Sequence, residues 1–173
     1  MKKIDEKLLK VLLFFIKLNV LVIPLYLTIY LDVSFPLIQN FLASSLYFIL
    51  SKFDPGVSFE DYYLYIPFKT EKGLQIETFI ISFDCTGWKT MYLFFALVFA
   101  TPSKLDKKFK VLAIVLPFLF FLNFLRIFST ILFCMSFGSQ YLDVVHNFLW
   151  REGLIIVVVS IWYIWLKKEN IIR

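Results

Sequence analysis

Long apolar runs separated by short charged segments make up most of the chain. A membrane-spanning helix needs about 20 mostly apolar residues. The run 8–31 meets that length, although it contains Lys10 and Lys17. Three further runs predict spans in the second half of the chain: 87–100, 111–135 and 147–166. The pattern therefore predicts an all-α integral membrane protein, a helical bundle of about four transmembrane helices.

The run 35–50 is shorter and contains polar residues, among them Gln39 and Asn40. We expect it to form an amphipathic helix in the outer interface of the membrane. The alternative is that 35–50 also crosses the membrane. That alternative would put the N-terminus outside the cell, against the lysines that surround it.

The segment 52–84 predicts a small structure outside the membrane. The stretches "YYLYIPF" and "LQIETFIISF" flank "KTEKG", a turn that contains glycine, and the second stretch begins with alternating apolar and polar residues. This pattern is typical of a hairpin or a pair of extended strands. Its second strand leads directly to Cys85.

Composition agrees with a membrane protein of one domain, 1–173. Hydrophobic residues make up 60% of the chain and charged residues only 18%, and the mean hydropathy is +0.79. Soluble domains are closer to half apolar and carry more charge. Two cysteines cannot form a disulfide framework, and no Cys/His cluster has the spacing of a metal site. We therefore expect no cofactor and no metal.

The net charge of +5 reflects topology and does not indicate nucleic acid, because the basic residues cluster beside the apolar runs. Lysine-rich segments flank spans on the cytoplasmic side, whereas 52–84 is rich in acidic residues. We expect both termini and the loop 101–110 inside, 52–84 outside, and a core of three spans over 85–168. The residues that set this orientation are Lys2, Lys3, Lys7, Lys10, Lys104, Lys107, Lys108, Lys110, Lys167, Lys168 and Arg173.

Three reactive or charged residues fall near one depth of the membrane. Counted from the cytoplasmic ends of their helices, Cys85, Arg126 and His146 lie about 26, 24 and 32 Å above the inner boundary. A hydrocarbon core about 30 Å thick therefore places all three near its outer edge. Charged side chains inside a membrane are costly and usually face a protein interior for a functional reason.

This combination predicts acyl transfer. Cys85 is the candidate nucleophile, and His146 is suited to take the thiol proton and return it to a leaving amine. Arg126 stays protonated at any working pH, so its predicted role is to stabilise an oxyanion or hold a substrate carbonyl. Asn123, one turn before Arg126 on the same helix face, is expected to orient either partner.

Cys85 lies where a strand meets a helix, so we expect the backbone N–H groups of Thr86 and Gly87 to point outward beside it. Gly87 would let a substrate backbone approach closely. Thr86 and Asp84 are weaker supporting candidates, because Thr86 is also placed to cap the following helix.

Each residue also has a purely structural interpretation. Cys85 would then be a packing residue, as we expect Cys134 to be, and Arg126 would form an ion pair with Asp143 or Asp84. The chain would be an assembly or scaffold protein without catalytic activity. A small transporter in which Arg126 binds an anion is disfavoured, because the chain has no internal repeat and no pair of broken spans.

The sequence resembles the exosortase/archaeosortase transpeptidases. The resemblance covers about 76–168 and rests on "DCTGWKTMYLF", "LNFLRI" and "VVHNFLWREG", in that order and spacing. It implies that Cys85 is the nucleophile, Arg126 the substrate or oxyanion residue, and His146 the third catalytic member. The Cys-Thr-Gly form is similar to archaeal members, some of which carry arginine in place of the histidine.

The resemblance also implies the partners and the location. The substrates would be secreted proteins with a C-terminal sorting signal, made of a short motif, a hydrophobic span and a basic cluster. The cleaved protein would pass to a membrane lipid. The active site would lie at the extracytoplasmic face of a multi-pass protein in the cell membrane.

Overall fold

The computed structural model describes residues 2–70, 73–137, 152–169 and 171. Over these residues the chain forms helices, strands and one 3-10 turn at Phe83–Thr86. The helices are α1 (Lys2–Tyr30), α2 (Pro36–Leu50), α3 (Trp88–Ala100), α4 (Leu105–Phe137) and α5 (Glu152–Lys168). The strands are β1 (Ser58–Glu60), β2 (Tyr63–Thr70) and β3 (Gly73–Ile80).

The predicted helices are confirmed as helices over the described residues. Two of them, Leu8–Tyr30 within α1 and Leu105–Phe137, are long and apolar enough to cross a membrane. Helix α3 has 13 residues and is therefore only about 20 Å long. The described part of α5 has 17 residues. The arrangement with four spans therefore stays a prediction.

The chain divides into two compact units. Within the described residues, one unit comprises 2–33, 89–119 and 153–169, and the other comprises 34–70, 73–88, 120–137 and 152. We call them the first and second unit. Helix α4 contributes its N-terminal half to the first unit and its C-terminal half to the second.

In the first unit, α1 packs against the described part of α5 through an aromatic contact and bonds to α3 through a hydrogen bond. The rings of Phe14 and Trp162 stack at a centroid distance of 5.6 Å, and the Tyr92 hydroxyl donates to the Leu21 carbonyl at 2.9 Å. Most apolar side chains of α1 remain exposed. A helix that is apolar all round and exposed is suited to contact with lipid.

The lysine-rich ends of the first unit lie close together. Lys107 forms an ion pair with Glu169, and the Trp162 indole donates to the Thr101 hydroxyl at 3.1 Å. Lys108 donates to the carbonyl of Phe99, in the last turn of α3, at 2.9 Å, as basic residues often do at helix ends. The loop 101–104 and the end of α5 are therefore at one end of this unit, as the charge pattern predicts.

A three-stranded antiparallel sheet forms part of the second unit. The predicted pair of strands is confirmed as β2 and β3, which pair from Tyr63↔Ile80 to Thr70↔Gly73. The short strand β1 pairs with the other side of β2 and was not expected. Its register places Phe59 opposite Leu64, so the segment is a small sheet and not only a hairpin.

Helix α2 packs one face into the core of the second unit. Its buried residues contact residues of β2 and of α4 in one apolar cluster. The exposed face is also apolar and includes Leu37, which is 84% exposed, Phe41 and Phe48. The polar Gln39 points inward and is buried, and the predicted position of this helix in the outer interface of the membrane stays a prediction. An apolar outer face is suited to lipid.

Candidate active site

Cys85 lies in a short 3-10 turn between β3 and α3. Its backbone N–H donates to the Ser82 carbonyl at 3.0 Å, and the Thr86 hydroxyl donates to the Phe83 carbonyl at 2.8 Å. Gly87 ends the turn with a φ of +78°. This left-handed conformation strongly favours glycine, so the sequence Cys-Thr-Gly encodes both the turn and its end.

Asn123 joins α4 to this turn. Its Nδ2 donates to the Cys85 carbonyl oxygen at 2.7 Å, and its side chain is only 1% exposed. Because the two residues are 38 positions apart in the chain, this bond fixes the Cys85 backbone against α4. Asn123 therefore contacts the backbone of the cysteine, and its predicted role in orienting a partner in the site stays a prediction.

Gly87 allows α4 to approach the turn. A Cβ on Gly87 would lie 2.7 Å from Cγ of Asn123 and 2.9 Å from its Cβ. Both distances are too short for real contacts. The group that lies close to Gly87 is therefore the Asn123 side chain, whereas the sequence predicted a substrate backbone at this position.

Arg126 lies one turn after Asn123 on α4 and is close to the cysteine. Its side chain is only 8% exposed and lies near the Cys85 side chain. The hydroxyls of Ser129 and Thr130 donate to the Arg126 carbonyl at 3.0 and 2.8 Å. The structure therefore brings together Cys85, Asn123 and Arg126, as the sequence predicts.

Aromatic rings and a buried amide support the turn from the other side. Phe83 stacks on Trp88 at 5.0 Å and 13°, and it meets Phe35 edge to face at 5.4 Å. Gln39 of α2 donates to the Ile81 carbonyl at 3.0 Å from a buried position. Helix α2 thereby holds the chain just before the turn, which gives the Cys85 position little freedom.

One expectation for the residues after Cys85 needs correction. Thr86 is 1% exposed and Gly87 is buried, so their backbone N–H groups are not presented to solvent as expected. The Thr86 hydroxyl donates within the 3-10 turn, and its capping of α3 stays a prediction. Asp84 is exposed beside Cys85.

The other predicted residues have different outcomes. His146 and Asp143 lie outside the described residues, so the role of His146 and the ion pair with Asp143 stay predictions. Cys134 is fully buried in the apolar cluster of the second unit, which confirms it as a packing residue. Among the described residues, no group of His, Cys, Asp or Glu has the arrangement of a metal site.

Ser82 also belongs to the site, although the sequence did not predict it. Its hydroxyl donates to the Cys85 sulfur at 3.2 Å. A serine three positions before the cysteine reaches the sulfur only because residues 83–86 form a 3-10 turn, in which residues three apart lie above one another. The sequence showed a strand leading to the cysteine, so this turn gave no recognisable signal.

We expect Ser82→Ala to slow alkylation of Cys85 about two- to tenfold, because the thiolate is the reactive form and the lost hydrogen bond stabilises it. The measurement is the rate of alkylation of Cys85 by a membrane-impermeant maleimide. Ser82→Thr keeps the hydroxyl and should react at nearly the wild-type rate. Equal rates for wild type and Ser82→Ala would show that this hydrogen bond does not affect the thiol.

The fold and the site together define a class: a helical membrane protein with a half-buried thiol beside a buried guanidinium. Comparison with known families agrees, and the chain belongs to the transmembrane exosortase family (Exosortase_EpsH), whose model matches residues 4–166. The resemblance seen in the sequence is thereby confirmed. Members are generally considered cysteine transpeptidases that process sorting signals. No curated protein and no solved structure matches the chain.

Proposed function

We propose that the protein is a membrane-embedded cysteine transpeptidase that cleaves the C-terminal sorting signal of secreted proteins and transfers them to a membrane lipid. The observation that supports this most strongly is the position of Cys85. Its carbonyl is held by Asn123 at 2.7 Å, its sulfur accepts a hydrogen bond from Ser82, and the buried Arg126 side chain lies near it. A cysteine that only packs needs neither a hydrogen bond to its sulfur nor a nearby buried guanidinium.

In the first step, the Cys85 sulfur attacks the carbonyl carbon of the scissile peptide bond. A carbon–sulfur bond forms, the carbon–nitrogen bond breaks, and the thiol proton passes to the leaving amine. His146 carries that proton in this proposal. The C-terminal hydrophobic tail leaves as a free amine, and the rest of the secreted protein remains on Cys85 as a thioester.

In the second step, a lipid hydroxyl attacks the thioester. A carbon–oxygen bond forms, the carbon–sulfur bond breaks, and the acceptor proton returns to the cysteine. Water in place of the lipid would release a free carboxyl group, which is the outcome for a protease. The same Cys85 chemistry serves both acceptors.

Arg126 stabilises the negative charge on the carbonyl oxygen in both steps. A fixed positive charge in a dry site is much more effective there than in water. The low exposure of its side chain and its position near Cys85 support this role. The Asn123 side chain acts indirectly, because its bond to the Cys85 carbonyl sets the distance between the thiol and α4.

The substrate's own membrane span explains why the thiol belongs near the outer surface. The hydrophobic tail of the sorting signal positions the cut site at a fixed depth, and the sequence places Cys85 near that depth. The active site therefore faces the extracytoplasmic side in this proposal, with the lysine-rich loop 101–110 in the cytoplasm.

The test is whether secreted surface proteins lose their hydrophobic tail in a manner that depends on Cys85. Intact masses of these proteins are compared between cells with the wild-type protein and cells with Cys85→Ala. A tail retained only in the variant supports the proposal. Identical masses in both strains would contradict it and favour the scaffold interpretation.

A further inference from the structure

The outer edge of β3 leads into the turn that contains Cys85. The strands are ordered β1, β2, β3, so β2 occupies one side of β3. Within residues 2–70, 73–137 and 152–169, no strand pairs with its other side. Ile80 is the last residue of β3, and Cys85 follows it by five positions. A peptide strand that pairs with this edge therefore leads to the Cys85 thiol where β3 ends.

A proline determines which backbone groups of β3 point outward. Opposite residues in an antiparallel pair alternate between hydrogen-bonded and non-hydrogen-bonded positions. Pro67 lies opposite Ile76 and has no N–H, so this pair is a non-hydrogen-bonded one. Ile76 and Thr78 therefore direct their N–H and C=O groups away from β2, toward the open edge.

The side chains along this edge are exposed. Ile76 is 67% exposed and Ile80 is 56% exposed, and Thr78 between them is exposed as well. A sheet edge with unpaired backbone groups is a template for another strand. An added strand would complete these hydrogen bonds, and its alternate side chains would contact Ile76 and Ile80.

We propose that this edge binds the sorting signal of the substrate as an added strand and thereby delivers the scissile bond to Cys85. The inference rests on the proposed function. The sorting signal must run toward its hydrophobic tail, and β3 runs toward the Cys85 turn and α3, so the two strands are parallel. Backbone pairing positions the substrate, and contacts with Ile76 and Ile80 select its side chains.

The experiment uses proline to remove one outward hydrogen bond. Thr78→Pro deletes an N–H that does not serve the pairing with β2, and proline is tolerated on an edge strand in this orientation. We expect it to slow removal of the hydrophobic tail about tenfold, because one hydrogen bond to the substrate is lost. The matched control is Thr78→Ala, which keeps the N–H, so tail removal should be several-fold faster with it than with Thr78→Pro.

The probe is a surface protein whose tail is removed in wild-type cells and retained in cells with Cys85→Ala. Tail removal is followed by mass over time, and Cys85 alkylation in the same membranes reports whether the turn is intact. Slow processing with a normal alkylation rate supports the inference. If processing requires Cys85 but Thr78→Pro equals wild type, only the edge inference is overturned. If processing does not require Cys85, the proposed function fails and the inference fails with it.

A second readout decides the case in which Thr78→Pro also slows alkylation. A photo-activatable cross-linking side chain replaces Ile76, whose backbone is unaltered by the exchange. Capture of the surface protein, more strongly in cells with Cys85→Ala where uncut substrate accumulates, supports the inference. Capture of only a second copy of the chain, or of no protein, overturns it.

Discussion

Cells that carry Cys85→Ala are expected to retain the hydrophobic tail on every surface protein that this enzyme processes. The acyl group has no other attachment point in the proposed mechanism, and removal of a catalytic nucleophile typically lowers turnover by about 10⁶-fold. Cys85→Ser should behave similarly, because a hydroxyl is far less ionised than a thiol at neutral pH. The measurement is intact mass of membrane-tethered surface proteins.

Cys134→Ala is the matched control for this result. Cys134 is the other cysteine of the chain and is fully buried in the apolar cluster of the second unit. Its replacement removes a small packing group and leaves the turn at Cys85 unchanged, so normal tail removal is expected. If Cys134→Ala and Cys85→Ala lost processing equally, general destabilisation would explain both, and the nucleophile assignment would be wrong.

Gly87→Ala is expected to produce the largest loss of stability among single substitutions at the site. Its φ of +78° costs a residue with a Cβ about 1–2 kcal/mol. The new Cβ would also lie 2.7 Å from Cγ of Asn123, and overpacking of this kind costs about 1–3 kcal/mol. Asn123 must then move away from the Cys85 carbonyl, so tail removal and stability should fall together.

Thermal unfolding in detergent measures this loss, with Gly153→Ala as the control. A Cβ at Gly153 meets no atom within 4 Å among the described residues, and Gly153 lies in α5. Alanine there should leave the unfolding temperature equal or slightly higher, because it reduces the entropy of the unfolded chain. A melting temperature of Gly87→Ala close to that of wild type would show that the turn adapts, and that Gly87 is not required for the contact with α4.

The sequence predicted the main elements because their signals are local and strong. Apolar runs of sufficient length predicted α1 and α4, and the alternation around "KTEKG" predicted the pair β2 and β3. The predicted common depth of Cys85, Arg126 and His146 followed from counting residues along helices. Helical rise is regular, so distance along the chain converts to depth.

The features that were missed depend on packing between distant segments. Gln39 of α2 turns inward and donates to the Ile81 carbonyl, 42 positions further along the chain, and residue pattern alone does not show such a contact. Ser82 contacts the sulfur through a 3-10 turn that the strand pattern hid. Gly87 was predicted to leave space for a substrate, whereas the side chain of Asn123, 36 residues later in the chain, fills that space.

The central claim, that the acyl group passes through a thioester on Cys85, is tested most directly by adding hydroxylamine to membranes that contain the wild-type protein and a processed surface protein. Hydroxylamine attacks thioesters, so the mature C-terminus should become a hydroxamate in a fraction that rises with hydroxylamine concentration. Cys85→Ala membranes should give neither cleavage nor hydroxamate. Cleavage at the same site with a C-terminus that is unchanged at every hydroxylamine concentration would contradict the account, because the peptide bond would then be cut without an acyl-enzyme.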